Sequence, residues 1–280
     1  MKISVLTATY NRGKFLERIY NSLIRNMTSE TEDVEVEWLI MDDGSTDNTK
    51  EVVEKFVKRE KIDVRYFYQE NQGKMSAINS LAPNVTGELW IECDSDDYFT
   101  DDAFKIIQEA YKEHDNYDEA LYAMCFLKYD SKGNNMGNDF KNDMTTMFDL
   151  YFKEGETGEK ALVFYTEIRK RFMHQLEHGE KFVTEARMYH QMDIGYQMFC
   201  VNKPIMICEY QEDGYTRNIM EQYEKYPFGY YNYFKEILDR DMTGVIIRKR
   251  LYAIKHFILS AYYMYKKIRE EKKKKQWNLL

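Results

Sequence analysis

Asp94 and Asp96 are the residues whose type and spacing point most directly to chemistry. They close the stretch Glu88-Leu89-Trp90-Ile91-Glu92-Cys93-Asp94-Ser95-Asp96-Asp97-Tyr98, where an apolar run with the character of a buried strand ends in three acids within four residues. If the extended geometry continues, alternating side chains put Asp94 and Asp96 on one face. Two like charges about 4 Å apart repel by roughly 4 kcal/mol at an effective dielectric near 20. A hard divalent cation removes that repulsion, and Mg²⁺ commonly uses one or two carboxylates together with substrate phosphates. The carboxyl end of a strand in an open α/β sheet is also where such sheets bind ligands. The plainer alternative is a solvated turn, its acids used in Asx-turns and helix capping. Asp101 and Asp102 suit that alternative, because they precede a helix expected over Ala103–His114.

The rest of the chain supplies elements that could position these acids. Ile3–Ala8 reads as a short buried strand, followed by the turn Thr9-Tyr10-Asn11-Arg12-Gly13 and a helix carrying Phe15, Leu16, Ile19, Tyr20, Leu23 and Ile24 at helical spacing. Val34–Met41 is a second strand that ends in Asp42-Asp43-Gly44-Ser45-Thr46-Asp47, before a helix with Val52, Val53, Phe56 and Val57 on one face. Val64–Tyr68 is a third, leading into Asn71-Gln72-Gly73-Lys74 and a helix with Ala77, Ile78 and Leu81. Strand, turn and helix in repeated succession predict a mainly parallel α/β sheet.

The second half is less regular. Strands are expected at Ala120–Tyr129 and Ala161–Tyr165, and Thr184 is placed to cap a helix through Glu185, Ala186, Met188 and Met192. Tyr196–Val201 and Ile205–Tyr210 read as two strands divided by Asn202-Lys203-Pro204. Near the end, Ile247, Leu251, Ile254, Ile258, Ala261, Tyr265 and Ile268 alternate spacings of four and three, a single apolar helical seam.

Composition narrows the classes. At 280 residues and 44% hydrophobic, the chain can bury one substantial core. Cys93, Cys125, Cys200 and Cys208 have no zinc-type spacing, which predicts free thiols and a reducing, cytoplasmic setting. With a strand at the very start no signal peptide is expected, and with no run of about 18 apolar residues no bilayer-spanning helix is expected. The net charge of −8 is uneven: eleven Lys/Arg against two Glu lie after Thr243, so the preceding part carries −17. An acidic body argues against nucleic acid as a partner.

Neither GxGxxG nor a GxxxxGK[ST] phosphate loop is present. The strand ends instead offer Thr7, Thr9, Asp42, Lys74, Asp94 and Asp96. A carboxylate such as Asp42 can accept from a nucleobase imide or ribose, a lysine can meet a diphosphate, and a metal can bridge it. That set fits a nucleoside-diphosphate ligand, although Asp42 and Asp43 also suit a type I turn with helix capping.

Four blocks in register, Thr7-Ala8-Thr9-Tyr10-Asn11-Arg12, Met41-Asp42-Asp43-Gly44-Ser45-Thr46-Asp47, Asn71-Gln72-Gly73-Lys74-Met75-Ser76-Ala77-Ile78-Asn79 and Asp94-Ser95-Asp96-Asp97, resemble family 2 glycosyltransferases of the GT-A fold. The resemblance is strong over 1–115 and weaker to about 218. It implies a catalytic domain over 1–218, with a nucleotide-binding half (1–115) and an acceptor half (116–218), and the remaining 219–280 is expected to be a helical basic extension from its apolar seam and charge. It further implies inverting transfer from a nucleotide-diphosphate sugar, UDP-linked by family habit, to an acceptor hydroxyl on a saccharide or lipid-linked saccharide, in cell-surface polysaccharide or glycoconjugate synthesis. By that resemblance Thr7, Thr9, Tyr10 and Asp42 hold base and ribose, Lys74 lies near the base or diphosphate, and Asp94 contacts ribose or donor sugar. Asp96 ligates Mn²⁺ or Mg²⁺. Gly179-Glu180-Lys181-Phe182-Val183-Thr184-Glu185 resembles the segment bearing the catalytic base, which makes Glu185 that base, with Asp193, His190 and Glu180 as fallbacks. The alternative for Glu185 is an ordinary first-turn acid complementing the helix dipole.

Tyr210–Asn218 resembles a loop that closes over the site, where Arg217 or Asn218 could reach the diphosphate. The QxxRW motif and transmembrane helices of processive synthases are missing, which favours single transfer. A nucleotidyltransferase would need a glycine- and arginine-rich first loop, a haloacid-type phosphatase a DxDx[TV] motif, and neither is found. An inactive nucleotide- or sugar-binding scaffold is the non-enzymatic alternative. The seam over 245–268 is expected to pack on the domain or on a second copy, or else to lie peripherally on an anionic membrane face.

Overall fold

The computed structural model describes residues 1–114, 120–209 and 219–277. Strand β1 (Lys2–Thr9) is central to the first half. Its Ile3 and Val5 face one apolar layer while Leu6 faces the other, the alternation of a strand covered on both sides. Helix α1 (Gly13–Arg25), β2 (Glu35–Asp42), α2 (Thr49–Arg59), β3 (Asp63–Tyr68), α3 (Lys74–Leu81), β4 (Leu89–Glu92), β5 (Tyr98–Phe99) and α4 (Ala103–His114) follow. β2 and β4 flank β1 in parallel and β3 extends β2 in parallel, so the expected strand–turn–helix units are present. Leu16, Ile19 and Leu23 of α1, Val53 and Phe56 of α2 and Ile107 of α4 cover one face. Tyr20 stacks on Phe56 at 4.6 Å there.

The second half continues the same sheet with mixed direction. β6 (Leu121–Asp130), β7 (Met144–Thr145), α5 (Met147–Phe152), β8 (Lys160–Tyr165), α6 (Thr166–Arg169), α7 (Glu185–Met192) and β9 (Gln197–Cys208) give the order β3-β2-β1-β4-β8-β6-β9-β5, with β7 on β9. β8 runs antiparallel to both β4 and β6. Met188 and Met192 of α7 and Ala77, Ile78 and Leu81 of α3 close the other face. All four cysteines are free and buried.

Three expectations are corrected. The two strands foreseen around Asn202-Lys203-Pro204 are the single β9, which bulges there: Phe126 pairs Val201 but Leu127 pairs Pro204. The Asn202 amide leaves the ladder to bond both backbone groups of Phe140. Thr184 occupies the position before α7, but its side chain makes no capping hydrogen bond.

Helices α8 (Ile219–Lys225), α9 (Pro227–Leu238) and α10 (Ile247–Trp277) form a third cluster with Phe148 and Phe152 of α5. The third correction concerns α10. It docks through Ala253, His256 and Ser260, whereas Ile247, Leu251, Ile258 and Tyr265 of the expected seam are exposed and Ala261 and Ile268 part-buried, so among the described residues the seam is not the docked side. No described helix is long and apolar enough to cross a membrane.

Candidate functional site

Because β1, β2 and β4 are parallel neighbours, their carboxyl ends share one edge: Thr9 registers with Asp42, and Leu6 with Glu92. The loops beyond them are tied together. The Asn11 side-chain oxygen accepts from the backbone N–H groups of Thr46 (2.7 Å) and Asp47 (3.3 Å), and the Asn11 N–H donates to Ser45 Oγ at 2.8 Å. The Asp42 carboxylate is buried and accepts from Ser45 N–H at 2.7 Å and the Tyr66 hydroxyl at 2.8 Å. Burial, then Asp42, pushes the Tyr66 hydroxyl well above its ordinary range. Asp43 accepts from Gln69 Nε2, Gln72 N–H and Gly73 N–H, which fixes the start of α3 against β2.

Thr9 and Tyr10 both reach this edge. Thr9 is buried, and its hydroxyl oxygen has no partner among the described residues. Tyr10 is half-exposed at the loop. Thr7 departs from expectation. It is fully buried on the α1/α2 face and its hydroxyl accepts from Trp38 Nε1 at 3.0 Å, so its side chain is taken up by the core.

The acidic stretch also differs from an extended continuation of β4. The strand ends at Glu92, and Asp97 N–H bonds the Asp94 carbonyl at 3.0 Å, so residues 94–97 form a turn. The three acids are therefore splayed rather than aligned, and each has its own cation. Lys74 Nζ lies 2.5 Å from Asp94, Arg12 Nη1 2.7 Å from Asp96 and Lys128 Nζ 2.8 Å from Asp97. Burial opposes the Asp94 charge, but Lys74 and Lys128 outweigh it and hold its carboxyl below the usual range. Asp97 goes the other way, because burial outweighs Lys128 and raises it. No three His, Cys, Asp or Glu side chains converge on a metal position among the described residues. The donor set still suits a divalent cation: hard carboxylate oxygens on a part-exposed turn that already accommodates positive charge.

Glu185 arrives from the second half, and a glycine permits its approach. Gly73 has φ +92°, and a Cβ there would stand 2.0 Å from the Lys181 carbonyl oxygen. The Lys181 ammonium in turn bonds the Asn71 carbonyl (2.7 Å) and its side-chain oxygen (2.9 Å). This close packing sets the first residue of α3, Lys74, beside the first residue of α7, Glu185. Lys74 Nζ lies 2.5 Å from Glu185 Oε1 as well as from Asp94. Burial disfavours the Lys74 charge, but Asp94 and Glu185 together hold it well above its ordinary value.

The fallback bases have structural occupations. Glu180 accepts from the N–H groups of Phe228 (3.1 Å) and Gly229 (2.8 Å) at the start of α9, and burial raises its carboxyl. Asp193 accepts from Met147 and Phe148 N–H and from the Tyr122 hydroxyl, and burial raises it to about 6. His190 is enclosed by Phe148, Phe152 and Tyr233. Arg217 and Asn218, with the loop that holds them, lie outside the described residues. Arg12 and Lys128 were not singled out from the sequence: one sits in a turn, and the other ends a strand otherwise read only for its apolar pattern. Below the site, Arg169 holds Glu92 at 2.8 Å and covers the Trp90 ring at 4.5 Å, a buried base for the turn.

The chain matches the model of glycosyl transferase family 2 over residues 4–172. It is 37% identical over 134 residues to an uncharacterized glycosyltransferase of Mycoplasma genitalium, covering 46% of this chain and 44% of that protein. It is 32% identical over 114 residues to the poly(ribitol-phosphate) beta-N-acetylglucosaminyltransferase TarS of Staphylococcus aureus, covering 41% of this chain and 19% of TarS. The chain thus spans less than half the length of these curated relatives. Among solved structures, TarS residues 1–349 in complex with UDP-GlcNAc superpose with a TM-score of 0.63 at 21% identity, covering 86% of this chain and 68% of that one. A mannosyltransferase from Pyrobaculum calidifontis in complex with GDP-Man and Mn²⁺ gives 0.56 at 18% identity, covering 93% and 73%. The fold is GT-A, and the chain belongs to glycosyl transferase family 2.

Proposed function

We propose that this chain transfers a sugar, with inversion, from a nucleotide-diphosphate sugar to the hydroxyl of a saccharide or lipid-linked saccharide acceptor, in surface polysaccharide or glycoconjugate synthesis. The observation that carries the proposal is the Lys74 bridge, in which a donor-side acid, Asp94, and an acceptor-side acid, Glu185, meet one ammonium. Inversion needs a base on the face of the donor sugar opposite the departing diphosphate, and Glu185 is the carboxylate available for that role. It would take the proton from the acceptor hydroxyl as that oxygen bonds the anomeric carbon and the bond to the diphosphate oxygen breaks.

Thr9, Tyr10 and Asp42 would hold base and ribose. The unpartnered Thr9 hydroxyl and the second lone pairs of the Asp42 oxygens supply polar contacts at that edge. Lys74 would give one of its present contacts to the diphosphate, and Asp94 would contact ribose or donor sugar. Asp96 would hold Mn²⁺ or Mg²⁺. When bound, the ion supplies Lewis-acid charge that stabilises the departing diphosphate. A UDP-linked donor is favoured by the resemblance and by the UDP-GlcNAc complex of TarS.

The test is a release assay for nucleoside diphosphate across UDP-, GDP- and dTDP-sugars with Mn²⁺ present, repeated with Glu185→Gln. The expected outcome is turnover with one donor class, and a loss of about 10²–10⁴ in kcat for the variant with donor affinity retained. A variant that keeps near-full transfer removes Glu185 as the base, and no turnover with any donor removes the reaction.

A further inference from the structure

Helix α10 covers one of its sides and leaves a second apolar side open. Ala253, His256 and Ser260 are buried as the helix packs on α8 and α9. Lys249, Lys266 and Lys267 also turn inward, to the Glu156 carbonyl, Glu224 and Glu180. At 3.6 residues per turn the seam lies roughly 140° around the axis from this docked side. Five of its members are open to solvent, Ile247 at 75%, Leu251 at 61%, Ile254 at 40%, Ile258 at 61% and Tyr265 at 60%, while Ala261 and Ile268 are part-buried. Exposed apolar side chains recurring over about 27 Å of helix are many for a solvated surface and mark an interaction site.

The charges beside the row select what covers it. Between Asp241 and Glu270 the chain has seven Lys/Arg and no acidic residue. Arg248, Arg250, Lys255 and Arg269 are exposed next to the seam and form no ion pair among the described residues. A second copy laid along the seam would set these cations against their own equivalents, whereas paired helices normally flank such a seam with complementary charges. An anionic lipid surface complements them, and the exposed Tyr262 and Tyr265 have the amphipathic rings that settle at a headgroup boundary. We propose that α10 lies flat on an anionic membrane, with the seam at the acyl boundary and the unpaired cations among the headgroups. This goes beyond the transfer reaction and does not depend on it.

The test is co-sedimentation of the whole chain with vesicles of phosphatidylcholine alone or containing phosphatidylglycerol, at low and high salt, with sedimentation velocity to follow mass. Two variants change only exposed side chains: Leu251→Glu with Ile258→Glu, and Arg248→Glu with Lys255→Glu, each checked for native circular dichroism. The expected result is binding only to the anionic vesicles, weakened by salt and lowered at least about tenfold by either variant. Binding that both variants leave unchanged, equal binding to neutral vesicles, or no binding overturns the proposal. So does a dimer in the whole chain that the seam variant converts to monomer, because a second copy then covers the row.

Discussion

Replacing Lys74 by Met tests whether one ammonium joins the two halves of the site. Each carboxylate oxygen lies 2.5 Å from Nζ, so the two stand no more than about 5 Å apart, where like charges repel by roughly 3 kcal/mol at an effective dielectric of about 20. The Asp94 and Glu185 side chains are 44% and 34% exposed, and solvent screening reduces that repulsion to about 1.5 kcal/mol. That repulsion is present in both proteins and is offset only by Lys74, so the loss is that of the two ion pairs, up to about 1 kcal/mol each at part-exposed positions. Lys74→Met should therefore lose about 2 kcal/mol at neutral pH, a fall in Tm on the order of 5 °C for a chain of this size. The pH dependence separates this cause from lost packing. Asp94 is held below its usual range, so its pairing stabilises the wild type above its unfolded value near 4 and is lost as pH falls through the folded value. Each Lys74 attraction exists only while the acid it meets is charged. The gap between the two proteins, followed by thermal unfolding from neutral to acid pH, should be full at pH 7 and close below about pH 4. A gap that stays constant over that range refutes the electrostatic account, and no gap at pH 7 refutes the bridge itself.

Thr7→Val should cost about 1–2 kcal/mol in urea unfolding by leaving the buried Trp38 N–H unpaired, with donor KM unchanged. A raised donor KM at unchanged stability would return Thr7 to the nucleotide site. His190 is held down to about 3, by burial first and then by Arg240, so its contribution is present above the unfolded value near 6.5 and is lost as pH falls through it, at about 1.4 kcal/mol per pH unit. His190→Phe, placed among Phe148, Phe152 and Tyr233, should flatten that acid slope in unfolding titrations. A slope as steep as the wild type's would locate the acid sensitivity elsewhere.

Much of the first half was legible because its signals are local. Ile3, Val5 and Leu6 alternate, Leu16, Ile19 and Leu23 recur at helical spacing, and α4 runs over the Ala103–His114 span expected from its acidic lead-in. Strand ends carrying Thr9, Asp42 and Asp94 could be named because parallel β–α units place them on one edge by topology alone. Extrapolating β4 past Glu92 failed for the opposite reason. A turn closed by the Asp97–Asp94 hydrogen bond and three separate cations leaves no period in the sequence. At Pro204, turn residues suggested a break, but neighbouring strands kept β9 whole around a bulge.

By itself, then, the order of residues determined which groups have the chemistry, since side-chain type and short-range period are properties of the chain. Tertiary packing alone decided which of them meet. Lys74 and Glu185, separated by 111 positions, are brought together because Gly73 lets Lys181 come close. In the same way, the apolar spacing of α10 is written in its residues, but which of its sides is buried depends on how helices α8 and α9 dock against it. Periodicity marks a face as apolar and carries no information about its neighbour.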